Sequence, residues 1–378
     1  MSPRDGRPAD REEARQAEAA ELDAEILESI GRGWDDPLTD DEFDALARAV
    51  FAHQHRFLPV YREFCLLRGV SAPADVVSWR DIPPVPAGAF KVGRWATFPP
   101  GREAAAFRTS GTTGAAAGIH AFETLALYNA AIVPAARRYL VPDVERIRCV
   151  FLTPPPAAAP ASSLVHMFAV FREAFGSPGS AFMPGGAPEA PVLFDAAAAG
   201  GGPVLVAGPA VAFLRVLEAA GGRRWTLPER SRVMVTGGFK GVRTSADPAA
   251  LAGAIEDGLG VPRTMQVEEY GMTELSSQHY TPTLRRALGL EAAGPPGFRT
   301  PPWARVRIVD PGSGGDVAEG EEGALVHWDP ANRGSALVVQ TSDVGAWTGE
   351  GAFVLRGRAP GAEARGCSLA ADLWLDGA

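Results

Sequence analysis

The chain has 378 residues, 46% of them hydrophobic and 21% charged, which suffices for a large buried core without disulfide or metal staples. Its 45 acidic residues outnumber 36 basic ones, a net charge of -9 with no basic block, and this argues against nucleic acid as a partner. No window approaches the about eighteen continuous apolar residues of a membrane span, Met1 to Glu21 lacks the apolar core of a secretory signal, and the cysteines Cys65, Cys149 and Cys367 are too scattered for a disulfide framework, so a cytoplasmic protein is expected.

In chain order, Met1 to about Leu38 reads as a charged lead-in, helical or partly disordered. Thr39-Asp40-Asp41-Glu42 has the form of a capping box, and Phe43, Leu46, Val50, Phe57, Leu58, Tyr61 and Phe64 follow at helical spacing, with a break or restart near Pro59. The stretch Ile82-Pro83-Pro84-Val85-Pro86, followed by Phe90-Lys91, predicts an extended connection.

From about Phe107 short apolar strands alternate with helices. The strands are Ile147 to Leu152, Val204 to Ala207, Val233 to Thr236 and one near Met265; the helices are Leu164 to Phe175, Val211 to Ala220 and Leu251 to Leu259. This alternation predicts an α/β fold, a parallel sheet with crossover helices. Beyond Trp303 the pattern is strand and turn, through Val306 to Val309, Ala324 to Trp328, Leu337 to Gln340 and Phe353 to Leu355, which predicts a small antiparallel or barrel-like lobe. Pro154 to Pro160 and Ala196 to Gly202 read as loops.

Three segments carry chemistry. Thr109-Ser110-Gly111-Thr112-Thr113-Gly114 combines glycines, which let backbone amides approach an anion, with four hydroxyls that add donors. It is a phosphate cradle by composition, or an ordinary surface turn; it is not the loop of the P-loop NTPases, because Ala115 to Ala117 stand where that loop needs lysine and a hydroxyl residue. Glu269-Tyr270-Gly271-Met272-Thr273-Glu274-Leu275 sets a carboxylate near an aromatic ring and a glycine at the expected end of a strand. Glu274 offers the oxygen ligand that magnesium uses when it bridges to substrate phosphates, although the same residues describe a turn with an exposed acid. Thr341-Ser342-Asp343, between strands, offers a carboxylate to two vicinal ribose hydroxyls, or is a polar turn.

Together and in order, these segments resemble the adenylate-forming superfamily of acyl-CoA synthetases, luciferases and peptide-synthetase adenylation domains. Val306-Arg307-Ile308-Val309-Asp310-Pro311 with Gly320-Glu321-Glu322-Gly323 is similar to the strand and turn before that superfamily's ribose-binding aspartate, and Gly357-Arg358 to its hinge-region arginine. Thr236-Gly237-Gly238 is similar to the stretch that borders the adenine. The resemblance implies the superfamily's large N-terminal domain, with parallel sheets, crossover helices and a small β-barrel-like lobe, and a C-terminal domain nearly absent. Residues 1–100 form a helical region and connection, 101–345 the core, and 346–378 a short tail.

What the resemblance further implies is attack of a carboxylate on the α-phosphorus of ATP, with release of pyrophosphate and formation of acyl-AMP, in the presence of magnesium (Mg2+). Ser110, Thr112 and Thr113 then grip the β- and γ-phosphates within the Thr109 to Gly114 loop, and Glu274 holds the metal. Asp343 fixes the ribose, Tyr270 stacks on the adenine beside Gly271 and Thr273, and Arg358 lies near ribose or phosphate. The lysine that follows the phosphate loop in most of the superfamily is replaced here by Ala115 to Gly118, and Lys240 in Gly237-Gly238-Phe239-Lys240 is the candidate substitute.

The chain as a whole resembles the acyl-protein synthetases of the bacterial bioluminescence operons (LuxE type). The likeness includes the Ile82 to Lys91 stretch, Gly237 to Lys240, Met272-Thr273-Glu274-Leu275-Ser276-Ser277-Gln278 and the closing Arg365-Gly366-Cys367-Ser368-Leu369-Ala370. In that family the fatty acyl group passes from acyl-AMP to a cysteine near the C-terminus as a thioester, and a partner reductase or acyltransferase takes it on. Cys367 is the matching residue, and Arg365 is a nearby cation that would favour its thiolate. Cys65, on an apolar helical face, and Cys149, inside a strand, read as core. His53 and His55 are two apart in a helix and face different ways, against a shared metal, and His166 and His279 read as satisfied core or surface residues before catalytic ones. Two other readings are an acyl-CoA ligase of the phenylacetate type, with coenzyme A as the thiol, and a catalytically silent acyl- or nucleotide-binding protein.

Overall fold

The computed structural model describes residues 8–109, 117–237 and 247–359. The lead-in is a helix, α1 (Pro8–Arg32), because Leu22, Ile26 and Ile30 recur on one face and are buried. Helix α2 (Asp40–Phe57) starts at the expected capping box: Thr39 Oγ1 accepts from the Glu42 amide at 3.2 Å, and the Glu42 carboxylate accepts from the Thr39 amide at 2.8 Å. Pro59 opens α3 (Pro59–Leu67), where its missing N–H costs nothing in the first turn.

The proline-rich connection contributes a short strand, β1 (Val85–Pro86). Past Pro86 the chain does not stay extended; Ala87–Lys91 winds into a 3-10 turn that buries Ala87 and Phe90, since no proline remains to forbid it. A hairpin follows, β2 (Ala105–Arg108) and β3 (Ile119–Phe122), and then helix α4 (Ala126–Leu140).

The alternating region is built from β4 (Arg148–Phe151), α5 (Ser163–Phe175), β5 (Ala181–Phe182), α6 (Ala190–Ala198), β6 (Val204–Pro209), α7 (Ala210–Ala219), β7 (Arg232–Thr236), α8 (Pro248–Leu259) and β8 (Gln266–Tyr270). The strands pair in parallel in the order β5-β4-β6-β7-β8. Every residue of β6 is buried, the pattern of a strand covered on both faces. Ala196 to Ala198, expected as loop, belong to α6: alanine has the highest helix propensity, and Pro191 sits in the first turn, where proline is tolerated.

Next come β9 (His279–Tyr280), α9 (Thr283–Ala287), β10 (Phe298–Arg299), β11 (Arg305–Val309), β12 (Glu322–Trp328), β13 (Val338–Gly349) and β14 (Ala352–Arg358). They are antiparallel, as expected beyond Trp303, and they continue the parallel part edge to edge: β8-β9-β10-β14-β13-β12-β11, with β1 alongside β13. Twelve of the described strands thus form one sheet, and β2 and β3 pair apart from it. The main apolar core joins the helices to the parallel strands, and a second cluster of Tyr270, Phe298, Val306, Ile308, Leu325 and Phe353 fills the junction with the antiparallel strands. Among the described residues no helix is long and apolar enough to cross a membrane.

Candidate active site

Parallel strands leave their carboxyl ends open to ligands, and here β7 ends at Thr236 beside its register partner Glu269, one residue before the end of β8. Gly237 follows at φ +72, a left-handed conformation that a side chain would strain. Tyr270 closes β8. Its ring is 7% exposed and packs against Phe298 (5.8 Å between ring centres), His279 (5.8 Å), His327 (5.6 Å) and Phe353 (5.9 Å).

The Tyr270 hydroxyl leaves this cluster to donate to Asp343 Oδ2 at 3.0 Å, and Arg358 Nε lies 3.0 Å from Asp343 Oδ1. Asp343 and Arg358 are direct partners across β13 and β14. Asp343 therefore lies inside a strand, not between strands. The ladder shifts register after Val344, and the Asp343 amide donates to Thr341 Oγ1 at 3.0 Å, so the polar Thr341-Ser342-Asp343 run is accommodated in a long paired strand. Tyr270, Asp343 and Arg358 are thereby brought together at the end of β8 that also carries Gly271.

Glu274 is 2% exposed, not the exposed acid of a surface turn. Its segment is braced from β12 onward: Asp329 Oδ2 accepts from the amides of Ser276 (2.8 Å) and Ser277 (2.7 Å), Asp329 Oδ1 accepts from Ser277 Oγ (2.9 Å), and Trp303 Nε1 donates to Ser277 Oγ (3.0 Å). Asn332 Nδ2 donates to the Glu274 carbonyl at 2.9 Å while its Oδ1 accepts from Ser276 Oγ at 2.7 Å. Asp329, Asn332 and Trp303 were not singled out from the sequence. A magnesium ion that keeps its waters and bridges to phosphates asks a protein for one or two carboxylates, and a single carboxylate on a braced segment fits that donor set. Among the described residues no cluster of His, Cys, Asp and Glu forms an all-protein metal cage.

Thr109 sits at the base of the hairpin loop. Its amide donates to the Gly118 carbonyl at 2.8 Å and its Oγ1 accepts from the Gly118 amide at 2.9 Å, so this hydroxyl closes the stem. A Cβ at position 118 would stand 2.7 Å from Thr109 Oγ1, which is why glycine is required there. Ser110, Gly111, Thr112, Thr113, Gly114, Gly238, Lys240 and Cys367 lie outside the described residues.

The remaining candidates are accounted for locally. His166 Nε2 bonds Asn129 Oδ1 at 2.7 Å, and His53 Nδ1 lies 3.3 Å from Glu18 Oε1. Cys65 and Cys149 are buried, and burial pushes both thiols up to about 12, so neither is a nucleophile near neutrality.

Glu269 is a site residue given no role by the sequence reading. It is 5% exposed, accepts a short hydrogen bond from Thr236 Oγ1, and would have to shift to admit a side chain at Gly271, where a Cβ would lie 2.5 Å from its Oε1. Burial pushes its carboxyl up to about 7, against the lowering effect of the Thr236 bond. A raised folded-state value means that the protonated form is favoured in the fold. Its contribution to stability is complete below about pH 4.5, the unfolded value, and is lost as pH rises through about 7. Glu269→Gln removes the ionisation while keeping an acceptor for Thr236. The variant is expected to gain up to about 3 kcal/mol over the wild type at pH 8 and almost nothing at pH 4.5, measured by urea denaturation; an equal difference at both pH values would refute the assignment.

The chain matches no protein-family model and no curated protein. Solved structures do share its fold. The open conformation of 2-hydroxyisobutyryl-CoA ligase, in complex with 2-HIB-AMP and CoA, aligns with a TM-score of 0.58 and 16% identity over 85% of this chain and 76% of that one. The same ligase in its postadenylation state, in complex with R3-HIB-AMP, aligns with a TM-score of 0.57 and 15% identity over 83% of this chain and 67% of that one. The mixed α/β architecture described above is thus a fold that this chain shares with that ligase.

Proposed function

We propose that this protein activates a carboxylic acid, a fatty acid in the first instance, as its acyl-AMP at the expense of ATP, and passes the acyl group to Cys367 as a thioester. The observation that carries the first half is the meeting, at the carboxyl end of β8, of Tyr270 with Asp343 and Arg358 of the β13–β14 hairpin, Tyr270 and Asp343 being 73 residues apart in sequence. The ligase with which the chain shares its fold holds an acyl-AMP, and this supports the reading.

A substrate carboxylate oxygen attacks the α-phosphorus, the bond to the β-phosphate bridging oxygen breaks, and pyrophosphate leaves. The protein contributes orientation and charge compensation. Asp343 accepts from the ribose hydroxyls, held in place by Tyr270 and Arg358; the Arg358 guanidinium offsets negative charge on the ribose–phosphate side. Glu274, on its braced segment, would hold magnesium, which when bound supplies charge neutralisation at the phosphates. In the second half the Cys367 thiolate attacks the acyl carbon and AMP departs with its electron pair. The thioester is then a substrate for a partner reductase or acyltransferase.

Coenzyme A as the acceptor is the second reading, favoured by the CoA bound in the similar ligase. The adenylation half is tested by exchange of labelled pyrophosphate into ATP with a panel of short- to long-chain acids. Exchange that depends on the acid is the expected result; a folded protein that gives none with any acid overturns the reading.

A further inference from the structure

His120 lies on β3, two residues past the Gly118 that closes the loop stem, and is 1% exposed between Phe122 (4.1 Å between ring centres) and Phe90 (5.5 Å). Its two ring nitrogens face partners far away in sequence: Nδ1 is 2.7 Å from the Thr273 carbonyl and Nε2 is 2.7 Å from Ser335 Oγ. A carbonyl only accepts, so Nδ1 carries the proton. Nε2 then accepts from the Ser335 hydroxyl, whose other neighbour, the Asn332 carbonyl, is farther away at 3.5 Å. Burial keeps the imidazole neutral, pushing it down to about 4, so this tautomer is the form at neutral pH.

These bonds close a ring. His120 holds the carbonyl of Thr273, Asn332 holds the carbonyl of the next residue, Glu274, and the Ser335 amide returns to the Asn332 carbonyl at 2.8 Å. Two successive carbonyls are thus fixed by two side chains that Ser335 links to each other. We propose that His120 is a positioning residue that fixes the Thr273–Glu274 backbone relative to the stem residues Thr109 and Gly118, so that the Glu274 segment and the stem hold one geometry. The inference rests on the acyl-adenylate reading for its catalytic consequence, and on the hydrogen-bonded ring alone for its structural one.

The roles of ring volume and hydrogen bonding separate in three variants. His120→Phe keeps an aromatic ring and loses both bonds, His120→Asn keeps a donor that reaches the Thr273 carbonyl, and Ser335→Ala removes only the partner of Nε2. In acid-dependent pyrophosphate exchange, corrected for folded fraction, His120→Phe is expected to lower kcat about 30-fold with KM for ATP changed less than about threefold, because misplacement by about 1 Å costs up to about 100-fold in rate. His120→Asn should recover most of that loss, and Ser335→Ala should fall between. A readout independent of activity is hydrogen–deuterium exchange of the 272–276 amides, expected to quicken about tenfold in His120→Phe and to return toward wild type in His120→Asn.

Wild-type kcat in folded His120→Phe, or a His120→Asn no better than His120→Phe in both readouts, overturns the proposal. Should His120→Phe fail to fold, Ser335→Ala decides, and wild-type behaviour in both readouts overturns it. If the wild type gives no exchange with any acid while the amides still respond as expected, the adenylation reading falls and the positional tie stands.

Discussion

Asp343→Ala is expected to lower acid-dependent pyrophosphate exchange, as kcat/KM for ATP, by about 100- to 1000-fold, the range seen when one preorganised polar contact in an active site is removed. Asp343 does two things at once. In the proposed reaction its carboxylate is the acceptor offered to the ribose, and it is the group that Tyr270 and Arg358 both engage. Truncation leaves the Arg358 guanidinium, with its side chain only 10% exposed, without the carboxylate now 3.0 Å from its Nε, so some loss of stability accompanies the loss of activity. Tyr270→Phe separates the two effects: it keeps the aromatic packing with Phe298 and Phe353 and removes only the hydroxyl that holds Oδ2. A smaller loss of about tenfold is expected there, the lower end of what one hydrogen bond to a charged group is worth. Exchange within threefold of wild type in a folded Asp343→Ala would remove this carboxylate from the nucleotide site.

What was legible in the sequence was what is local. The capping box at Thr39, the restart at Pro59 and the strand–helix alternation from Ile147 to Leu259 each rest on neighbours within a turn or two of the chain, and each appears in the structure. Helix α4 was not legible: it is rich in alanine, carries Pro134 in its interior and has no strong polar face to set a period. The edge-to-edge joining of the parallel and antiparallel strands passes through β9 and β10, each of two residues and too short to show alternation. In the site, Tyr270, Glu274 and Asp343 sit in recognisable runs, whereas their supports do not. His120, Asp329 and Asn332 act across 153, 53 and 58 residues respectively, and a lone polar residue in an apolar stretch announces nothing until its partner is known. The one usable signal was the Asp329-Pro330-Ala331-Asn332 turn at the end of a strand, polar residues in a stretch otherwise buried. Asp343 was read as lying between strands because Thr, Ser and Asp together suit a turn; pairing of Asp343 with Arg358 of β14, and of the flanking Gln340 and Val344 with β12 on either side of a register shift, overrides that preference.

Cys367→Ser is expected to abolish hydroxylamine-labile acyl label on the protein, a fall of at least about 100-fold, while pyrophosphate exchange stays within about twofold of wild type. Exchange needs only the first half-reaction, in which no thiol takes part. The second half needs a thiolate, and the three cysteines are not equivalent donors of one. Burial raises Cys65 and Cys149 to about 12, so at pH 7 only about one molecule in 100,000 carries either as thiolate. An unperturbed thiol at about 8.5 is ionised a few per cent of the time, and Arg365, two residues from Cys367, is a cation that would raise that fraction. A serine hydroxyl has no comparable anion near neutrality, so the substitution removes the acceptor while adding no bulk. Label that survives in Cys367→Ser would place the acyl group on another residue. Acyl-CoA released at the same rate by wild type and variant, with no label on either protein, would assign the acceptor role to coenzyme A and leave the adenylation site as described.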